Sequence, residues 1–219
     1  MKKSTNIFSN VLIVIGIVFI GVSVFAMNQW RFVQNEPDVD LSTYNETFET
    51  DEQTEEPVDA KIDKDKIDIE SYIGSVGRSD YRSGTMRITV PKLNVQAEVL
   101  DGTSIDLLKL GPGLYESSPL HDIDNPNICI AAHRTTYGAW FRNIDDLLPG
   151  EFIYLEYDDK LFRYEVEDVF IVEYNDWTIT EQQDYSSLTL SACHPPNSAD
   201  QRMIVRAKLV DIRKSTVQQ

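Results

Sequence analysis

The sequence contains two cysteines and three histidines, and one residue of each type lies where an apolar run gives way to polar residues. Cys193 ends the run "TLSAC" and precedes "HPPNSAD", while His133 follows the run "ICIAA" and precedes a polar turn. A thiolate can attack a carbonyl carbon, and an imidazole can move the protons which that attack requires. Because a Cys/His site needs proximity in space and not in sequence, these two strand ends form a candidate site for covalent catalysis.

Other roles for the same residue types stay open at this point. Cys129 lies inside the apolar run "NICIAA", where a free thiol behaves as a small hydrophobe. A disulfide between Cys129 and Cys193 and a buried structural thiol at Cys193 are both alternatives. His194 directly follows Cys193, and successive side chains of a strand point to opposite faces, so we expect His194 to face solvent. His121 lies in the polar stretch "SSPLHDIDNPN" and is expected to be exposed.

Arg202 opens the apolar run that follows the cysteine loop. The eight residues between Cys193 and Arg202 suffice to return the chain to the same strand end. A guanidinium fixed there would stabilise an oxyanion or bind a substrate carbonyl or carboxylate. Arg206 shares the same strand parity but lies about 13 Å further along, at ~3.3 Å per residue, and is the weaker candidate. A surface ion pair is the alternative role for both arginines.

Short apolar stretches with strand-like alternation dominate the chain from about residue 84. They predict seven or eight strands, including a hairpin at the "DD" of "FIYLEYDDKLFRYEV". The helical candidates are "SIDLLKLGPG", with Ser104 as its N-cap, and "AWFRNIDDLLPG". A closed or nearly closed β-barrel hides the edges of many short strands, so we predict an all-β barrel. No glycine-rich phosphate loop or metal-ligand spacing occurs in the sequence, so no cofactor or metal is expected.

The N-terminal segment predicts a membrane anchor. An apolar stretch follows Lys2 and Lys3, and residues 7–27 would form a helix about 31 Å long, close to the ~30 Å hydrocarbon core of a bilayer. The lysine pair before the span and the acidic stretch after it favour a cytoplasmic N-terminus with the rest of the chain outside. A cleaved signal peptide is the alternative, although its apolar region is usually shorter, about 7–15 residues.

The formal net charge is −16, and residues 36–70 hold fourteen acidic residues against three lysines. Such a segment has too little apolar surface to fold by itself, and its like charges extend it. We therefore predict a cytoplasmic stub and membrane anchor at 1–32, a largely disordered acidic linker at 33–75, a catalytic domain at 76–213 and a tail at 214–219. The acidity argues against nucleic acid as a partner, because phosphate binding needs basic side chains.

Three segments together resemble the sortase family. "TLSACHPPNSADQRMIV" is similar to the sortase signature, in which Thr-Leu-any-Thr-Cys ends a strand and an arginine opens the next one. "CIAAHRTTYGAWFRNIDDLLPGEFI" is similar to the histidine segment, which is usually Gly-His-Arg. "GPGLYESSPLHDIDNPN" resembles the Gly-Pro-Gly-His-Tyr lead-in of the class E housekeeping sortases. The resemblance extends over residues 85–212, with Ala192 in place of threonine, Ala132 in place of glycine and Leu114 in place of the lead-in histidine.

The resemblance implies an eight-stranded β-barrel with short helices that acts as a cysteine transpeptidase. It assigns Cys193 as the nucleophile, His133 as the general acid/base and Arg202 as the group that stabilises the oxyanion or the substrate. It further suggests that residues on the strand before the nucleophile line the substrate groove, namely Thr189, Leu190 and Ala192. The loss of a threonine hydroxyl at Ala192 removes no catalytic group, so activity is expected, with an altered rate or preference.

The implied reaction cleaves a C-terminal sorting signal of LPxTG or LAxTG type through a thioester acyl-enzyme and joins the protein to a cell-wall amine. The expected partners are sorting-signal-bearing surface proteins, a cell-wall peptide amine and the membrane. The expected location is the bacterial cell membrane, with the catalytic domain outside the cytoplasm. The alternatives are a pilin-polymerising sortase, a hydrolytic cysteine protease and a catalytically weakened domain that binds sorting signals. Pilin-polymerising members often carry an Asp-Pro-aromatic lid, and this sequence lacks that tripeptide.

Overall fold

The computed structural model of the protein describes residues 66–215, together with Ser42, Tyr44 and Phe48. The predicted membrane anchor at residues 7–27 and most of the predicted linker lie outside this part of the chain. Within the described residues, no helix has both the length and the apolar character that crossing a bilayer requires.

In the described part of the chain, nine strands form one sheet in the order β2-β1-β6-β7-β9-β8-β5-β4-β3. The β3–β4 and β5–β8 pairs are parallel, and the other neighbouring pairs are antiparallel. The strands are β1 (Arg87–Val90), β2 (Val95–Glu98), β3 (Leu100–Asp101), β4 (Gly113–Leu114), β5 (Asn127–Ala131), β6 (Phe152–Tyr157), β7 (Lys160–Glu173), β8 (Ser187–His194) and β9 (Gln201–Lys214).

The two ends of this sheet are joined by continuous chain. β2 and β3 lie at opposite ends of the strand order, yet only Val99 separates them in sequence. Val99 is fully buried, its amide donates to the Met86 carbonyl at 2.8 Å, and its carbonyl accepts from Gly84 at 3.0 Å. The sheet therefore closes almost completely on itself, and β2 with β3 acts as one interrupted strand of eight. The prediction of an all-β barrel with few helices is confirmed.

Two local predictions are confirmed by the turn and cap geometry. Asp158 and Asp159 connect β6 to β7 with φ values of 54° and 55°, the left-handed conformation that a tight two-residue hairpin turn requires. The short helix Ile105–Leu108 begins after Ser104, whose hydroxyl accepts from the Leu107 amide at 3.4 Å. This cap satisfies one of the free amides of the first turn.

The helix predicted for "AWFRNIDDLLPG" is wrong. The segment contains only a 3-10 helix, Ile144–Asp146, within a series of turns. Its large buried apolar residues, Phe141, Ile144 and Leu147, are spaced by three, which a run of tight turns produces as readily as an α-helix. The Phe141 amide donates instead to the His133 carbonyl at 3.1 Å, which ties this segment to the end of β5.

Strand β8 divides its side chains between two faces. Leu188, Leu190 and Ala192 belong to the main hydrophobic core inside the barrel. Because strand side chains alternate, Thr189, Ser191 and Cys193 lie on the opposite face. The cysteine is thus presented outside the main core, at the carboxyl end of a strand that the core holds in place.

The expectation that His121 is exposed is wrong, because only 2% of this residue is accessible. Its ring stacks on Phe162 with 4.2 Å between centroids. Its Nδ1 is hydrogen-bonded to the Tyr157 hydroxyl, and its Nε2 is 3.1 Å from the Tyr164 hydroxyl. Burial lowers the pKa of His121 to about 3, so the ring is neutral at physiological pH. The sequence neighbours of His121 are polar and do not indicate this aromatic cluster, which forms only when β6 and β7 pair.

Packing onto the barrel begins before residue 76, the predicted start of the catalytic domain. Ile67, Ile69, Tyr72 and Val76 pack against the main core, and the Ile67 amide donates to the Ile212 carbonyl at 3.0 Å. Tyr44 and Phe48, within the predicted linker, are buried in a second apolar cluster with three residues of β6 and β7: Phe152, Tyr154 and Leu161. Apolar residues in this acidic stretch therefore contribute to the domain.

Candidate active site

The predicted cysteine lies at the end of a strand that is paired on both sides. Cys193 is a half-buried free thiol, and it is the next-to-last residue of β8. Strand β8 runs parallel to β5 on one side and antiparallel to β9 on the other. The ladder with β5 ends at Ser191, whereas the ladder with β9 includes Cys193 itself, so the backbone at the cysteine is fixed better than it would be in a loop.

The parallel β5–β8 register brings the predicted histidine to the same level as the cysteine. Ala131 is paired with Ser191, and the Ala132 amide donates to the Ser191 carbonyl at 3.1 Å. Two residues beyond this pair, the backbone of His133 leaves β5 at the level that Cys193 occupies on β8. The Phe141 amide, bonded to the His133 carbonyl, holds the backbone where the strand ends.

The antiparallel β8–β9 register brings the predicted arginine to the same place. Arg202 is directly opposite Cys193 in the ladder. Its Nη1 donates to the carbonyls of Ala199 and Gln201, both at 2.9 Å, which holds the guanidinium against the loop between the strands. The three groups predicted from sequence therefore converge at one end of three adjacent strands, β5, β8 and β9.

Tyr115 borders the site and is not among the residues predicted from the sequence. It follows β4, and its amide donates to the Cys129 carbonyl at 2.9 Å, which places it beside β5. Burial raises the pKa of Tyr115, and the nearby Ser191 hydroxyl and Arg202 charge partly oppose this effect. The phenol therefore lies close to the thiol and guanidinium end of the site. Its place in the lead-in "GPGLY" was the available sequence signal.

The His133 imidazole lies under an exposed aromatic ring. The Tyr137 ring is 5.1 Å from it between centroids, and Lys109 Nζ is 5.7 Å from the centre of the Tyr137 ring. The buried Nε2 of His133 has no hydrogen-bond partner among the described residues. Burial lowers the pKa of His133, and the positive charge of Lys109 lowers it further. The free imidazole is thus kept neutral, with a ring nitrogen available for proton transfer.

Replacing Lys109 by glutamine is expected to raise the pKa of His133. The lysine charge opposes formation of the imidazolium, so its removal makes protonation easier, while the larger effect of burial remains. An NMR titration of the His133 C2–H resonance measures this change. The matched control is Lys92→Gln, since Lys92 pairs with Glu151 at 2.9 Å and is not among the groups that shift His133. An unchanged or lowered midpoint in Lys109→Gln would contradict this electrostatic account.

A polar layer behind the cysteine fixes the loop that connects β7 to β8. The Asn127 amide nitrogen donates to the Ile179 and Glu181 carbonyls, both at 2.9 Å. Arg206 Nη2 also donates to the Ile179 carbonyl, at 3.1 Å, and the Thr189 hydroxyl donates to Asn127 Oδ1 at 2.7 Å. Arg206 is therefore neither a surface ion pair nor part of the cysteine site, and its buried guanidinium anchors this loop.

The predicted groove residues of β8 are all deeply buried. Thr189 is 1% exposed and its hydroxyl is bonded to Asn127, while Leu190 and Ala192 belong to the main core and are 0% and 2% exposed. Their assignment to a groove for the sorting signal stays a prediction. In the structure they position the strand that ends in Cys193.

The two cysteines are too far apart in register for the disulfide considered above. Cys129 is paired with Thr189, four residues before Cys193, which corresponds to about 13 Å along a strand. A disulfide needs Cα atoms about 4.4–6.8 Å apart. Cys129 is fully buried, and burial raises the pKa of its thiol to about 12, which makes it an inert structural thiol.

His194 differs from its expected place in solvent. It is half-buried, and its Nδ1 lies 2.9 Å from Nη1 of Arg134.

Among the described residues, no group of three or more His, Cys, Asp or Glu side chains is placed to hold a metal ion. The chemical groups that the site offers are therefore a thiol, an imidazole and a guanidinium, with a phenol at its border.

The chain matches known proteins along most of the barrel. The family model for the sortase domain matches residues 88–210. Sortase D of Bacillus subtilis (strain 168) is 32% identical over 127 residues, a match that covers 56% of this chain and 62% of that protein. Sortase SrtE1 of Streptomyces coelicolor is 30% identical over 156 residues, covering 64% of this chain and 44% of that protein. The chain thus spans less than two thirds of the length of either curated relative.

A solved structure gives the same result for the fold. Sortase C of Streptococcus pneumoniae, a structure described as informing catalysis and pilin substrate specificity, has a TM-score of 0.55 and 30% identity. The superposition covers 59% of this chain and 68% of that chain. Because the family model covers more than half of the chain and the barrel agrees with a solved relative, the chain belongs to the sortase family.

Proposed function

We propose that the protein is a membrane-anchored sortase that cleaves a C-terminal sorting signal and transfers the resulting acyl group to an amine. The observation that carries this proposal is the convergence of Cys193, His133 and Arg202 at the ends of β5, β8 and β9. Acyl transfer through a thioester requires a thiol nucleophile, a group that carries protons and a hydrogen-bond donor that stabilises the oxyanion.

In the first half-reaction, neutral His133 takes the thiol proton of Cys193, and the resulting thiolate attacks a backbone carbonyl carbon of the sorting signal. The carbonyl oxygen becomes an oxyanion, which Arg202 stabilises by charge and hydrogen bonding. The C–N bond breaks as protonated His133 gives its proton to the departing amine nitrogen. The products are a thioester on Cys193 and a released C-terminal peptide, whose departure exposes the thioester carbonyl.

In the second half-reaction, an incoming amine attacks the thioester carbonyl. Neutral His133 takes a proton from the amine nitrogen, and the C–S bond breaks to regenerate the Cys193 thiolate. Water reacts at the same carbonyl in a hydrolase, so the identity of the acceptor separates a transferase from a protease. The lowered pKa of His133 supports the base role, because the imidazole is neutral when the amine arrives.

The cellular setting of this reaction is proposed from the sequence. Residues 7–27 form the anchor, the acidic stretch extends the domain from the membrane, and the substrate is a surface protein bearing an LPxTG- or LAxTG-like signal. The cell-wall amine is the acceptor. The lead-in "GPGLY" and the similarity to Sortase SrtE1 support a class E housekeeping role. The similarity to a sortase C with pilin substrate specificity keeps pilin polymerisation as the second candidate.

A panel of sorting peptides and amines tests this function. Peptides with LPxTG and LAxTG motifs are incubated with the protein alone, with a glycine α-amine and with a lysine ε-amine. We expect cleavage of at least one motif and an amide product that replaces the hydrolysis product when amine is added. Preference for the lysine amine of a pilin-like segment indicates polymerisation. Cleavage without any amide product for either amine would contradict the transferase assignment and favour a protease.

A further inference from the structure

Arg134 and His194, the residues that directly follow His133 and Cys193, are hydrogen-bonded to each other. Arg134 Nη1 and His194 Nδ1 are 2.9 Å apart, although 60 positions separate them in the chain. One partner lies in the turn that leaves β5, and the other is the last residue of β8. The contact therefore joins the two chain segments that carry the thiol and the imidazole, beyond the last backbone bond of the β5–β8 ladder.

Arg134 is held rigidly enough to act as a fixed point. It is 3% exposed, its Nη2 forms an ion pair with Asp145 Oδ1 at 2.6 Å, and its Nε donates to the Arg142 carbonyl at 3.3 Å. The three nitrogens of the guanidinium thus point to three different groups. A planar guanidinium with bonds in three directions retains little freedom to move. Asp145 belongs to the 3-10 helix Ile144–Asp146, which is packed into the barrel core through Ile144.

The chemistry of the contact fixes the form of His194. A guanidinium has donors only and remains protonated, so Nδ1 of His194 must accept. Because His194 is in strand conformation, its side chain points to the face opposite that of Cys193. His194 therefore does not compete with His133 for the thiol, and its ring is available for a structural bond.

We propose that Arg134 and His194 form a clamp that sets the spacing between His133 and Cys193. This inference rests on the proposed catalytic roles of those two residues. Arg134 and His194 are positioning residues, since they touch neither the thiol nor the substrate carbonyl in the proposed reaction. Displacing a reacting group by about 1 Å can lower a rate about 10²-fold, so a clamp at this point has a direct effect on turnover.

Two substitutions at His194 test the clamp. His194→Ala removes the acceptor, whereas His194→Asn keeps a side-chain oxygen near the position of Nδ1. We expect His194→Ala to lower kcat about 10- to 100-fold, with KM within about twofold of the wild-type value, because the catalytic pair is displaced while the substrate groove is kept. We expect His194→Asn to recover most of the lost rate. Pro196→Ala, in the exposed part of the same loop, is the matched control and should retain wild-type kinetics.

A second readout does not need a correctly chosen peptide. The rate of Cys193 alkylation by iodoacetamide at neutral pH reports the coupling of the thiol to His133. It should fall in His133→Ala, fall in His194→Ala and return in His194→Asn, while the thermal midpoints of the two His194 variants stay close to each other. Wild-type kcat and alkylation in His194→Ala, or equal losses in the alanine and asparagine variants, would overturn the clamp. Failure of the wild type to process any peptide would contradict the proposed function instead.

Discussion

Cys193→Ala is expected to abolish peptide cleavage and amide formation, with a loss of at least about 10³-fold. The reaction requires a covalent bond between the substrate carbonyl and the thiol sulfur, and alanine cannot form it. Mass spectrometry of the protein mixed with a sorting peptide provides the measurement. The wild-type protein should gain the mass of the acyl fragment, and hydroxylamine should remove it, as expected for a thioester.

Cys129→Ala is the matched control for that experiment. Cys129 has the same side chain, lies one strand away, and is fully buried with its pKa raised to about 12. Its replacement removes a thiol without removing a nucleophile, so the acyl adduct should still form on Cys193. An adduct or residual cleavage in Cys193→Ala, or loss of the adduct in Cys129→Ala, would show that the wrong cysteine has been assigned.

The buried His121 is expected to make the fold sensitive to acid. Burial lowers its pKa in the folded protein to about 3, compared with an ordinary value of 6.5. Between about pH 3 and pH 6.5 the unfolded chain therefore binds a proton at this residue that the folded chain does not. The contribution of His121 to stability is fully present above about pH 6.5 and is lost as the pH falls towards 3, at a slope approaching about 1.4 kcal/mol per pH unit.

Urea unfolding of the wild type and of His121→Gln at several pH values isolates this effect. Glutamine does not titrate, and the effects of the many carboxylates cancel in the difference between the two proteins. At pH 7 the wild type should be the more stable protein, since glutamine loses the stacking on Phe162. The difference in unfolding free energy should shrink as the pH is lowered from 6.5 to 4.5. A difference that stays constant over this range would mean that His121 is protonated inside the folded protein.

The two predictions differ in how far the sequence anticipated them. Cys193 and His133 are predicted as site residues because each lies where an apolar run of strand length meets a polar turn, and such a boundary is a local property of the chain. Arg202 is predicted for a similar reason, from the length of the loop before it. His121 was misplaced because its neighbours are polar, while the rings that bury it, including Phe162 and Tyr164, come from another part of the sequence.

The remaining differences have a similar origin. The segment with Phe141, Ile144 and Leu147 was predicted as a helix, because an apolar spacing of three also suits an α-helix. The hydrogen bond from the Phe141 amide to the His133 carbonyl favours turns instead, and His133 lies outside the segment. Tyr115 was not singled out, since nothing local indicates that the chain after β4 passes beside Cys193 and Arg202.

The all-β class, most of the strands and three candidate groups for acyl transfer can be predicted from the sequence alone, because alternation and strand ends are encoded locally. Only the tertiary structure decided that β5 and β9 flank β8, which places His133 and Arg202 on either side of Cys193. The contact between Arg134 and His194 is likewise visible only in the tertiary structure. Strand order and register depend on contacts between residues distant in sequence, and pairing free energies of that kind leave no periodic signal in the chain.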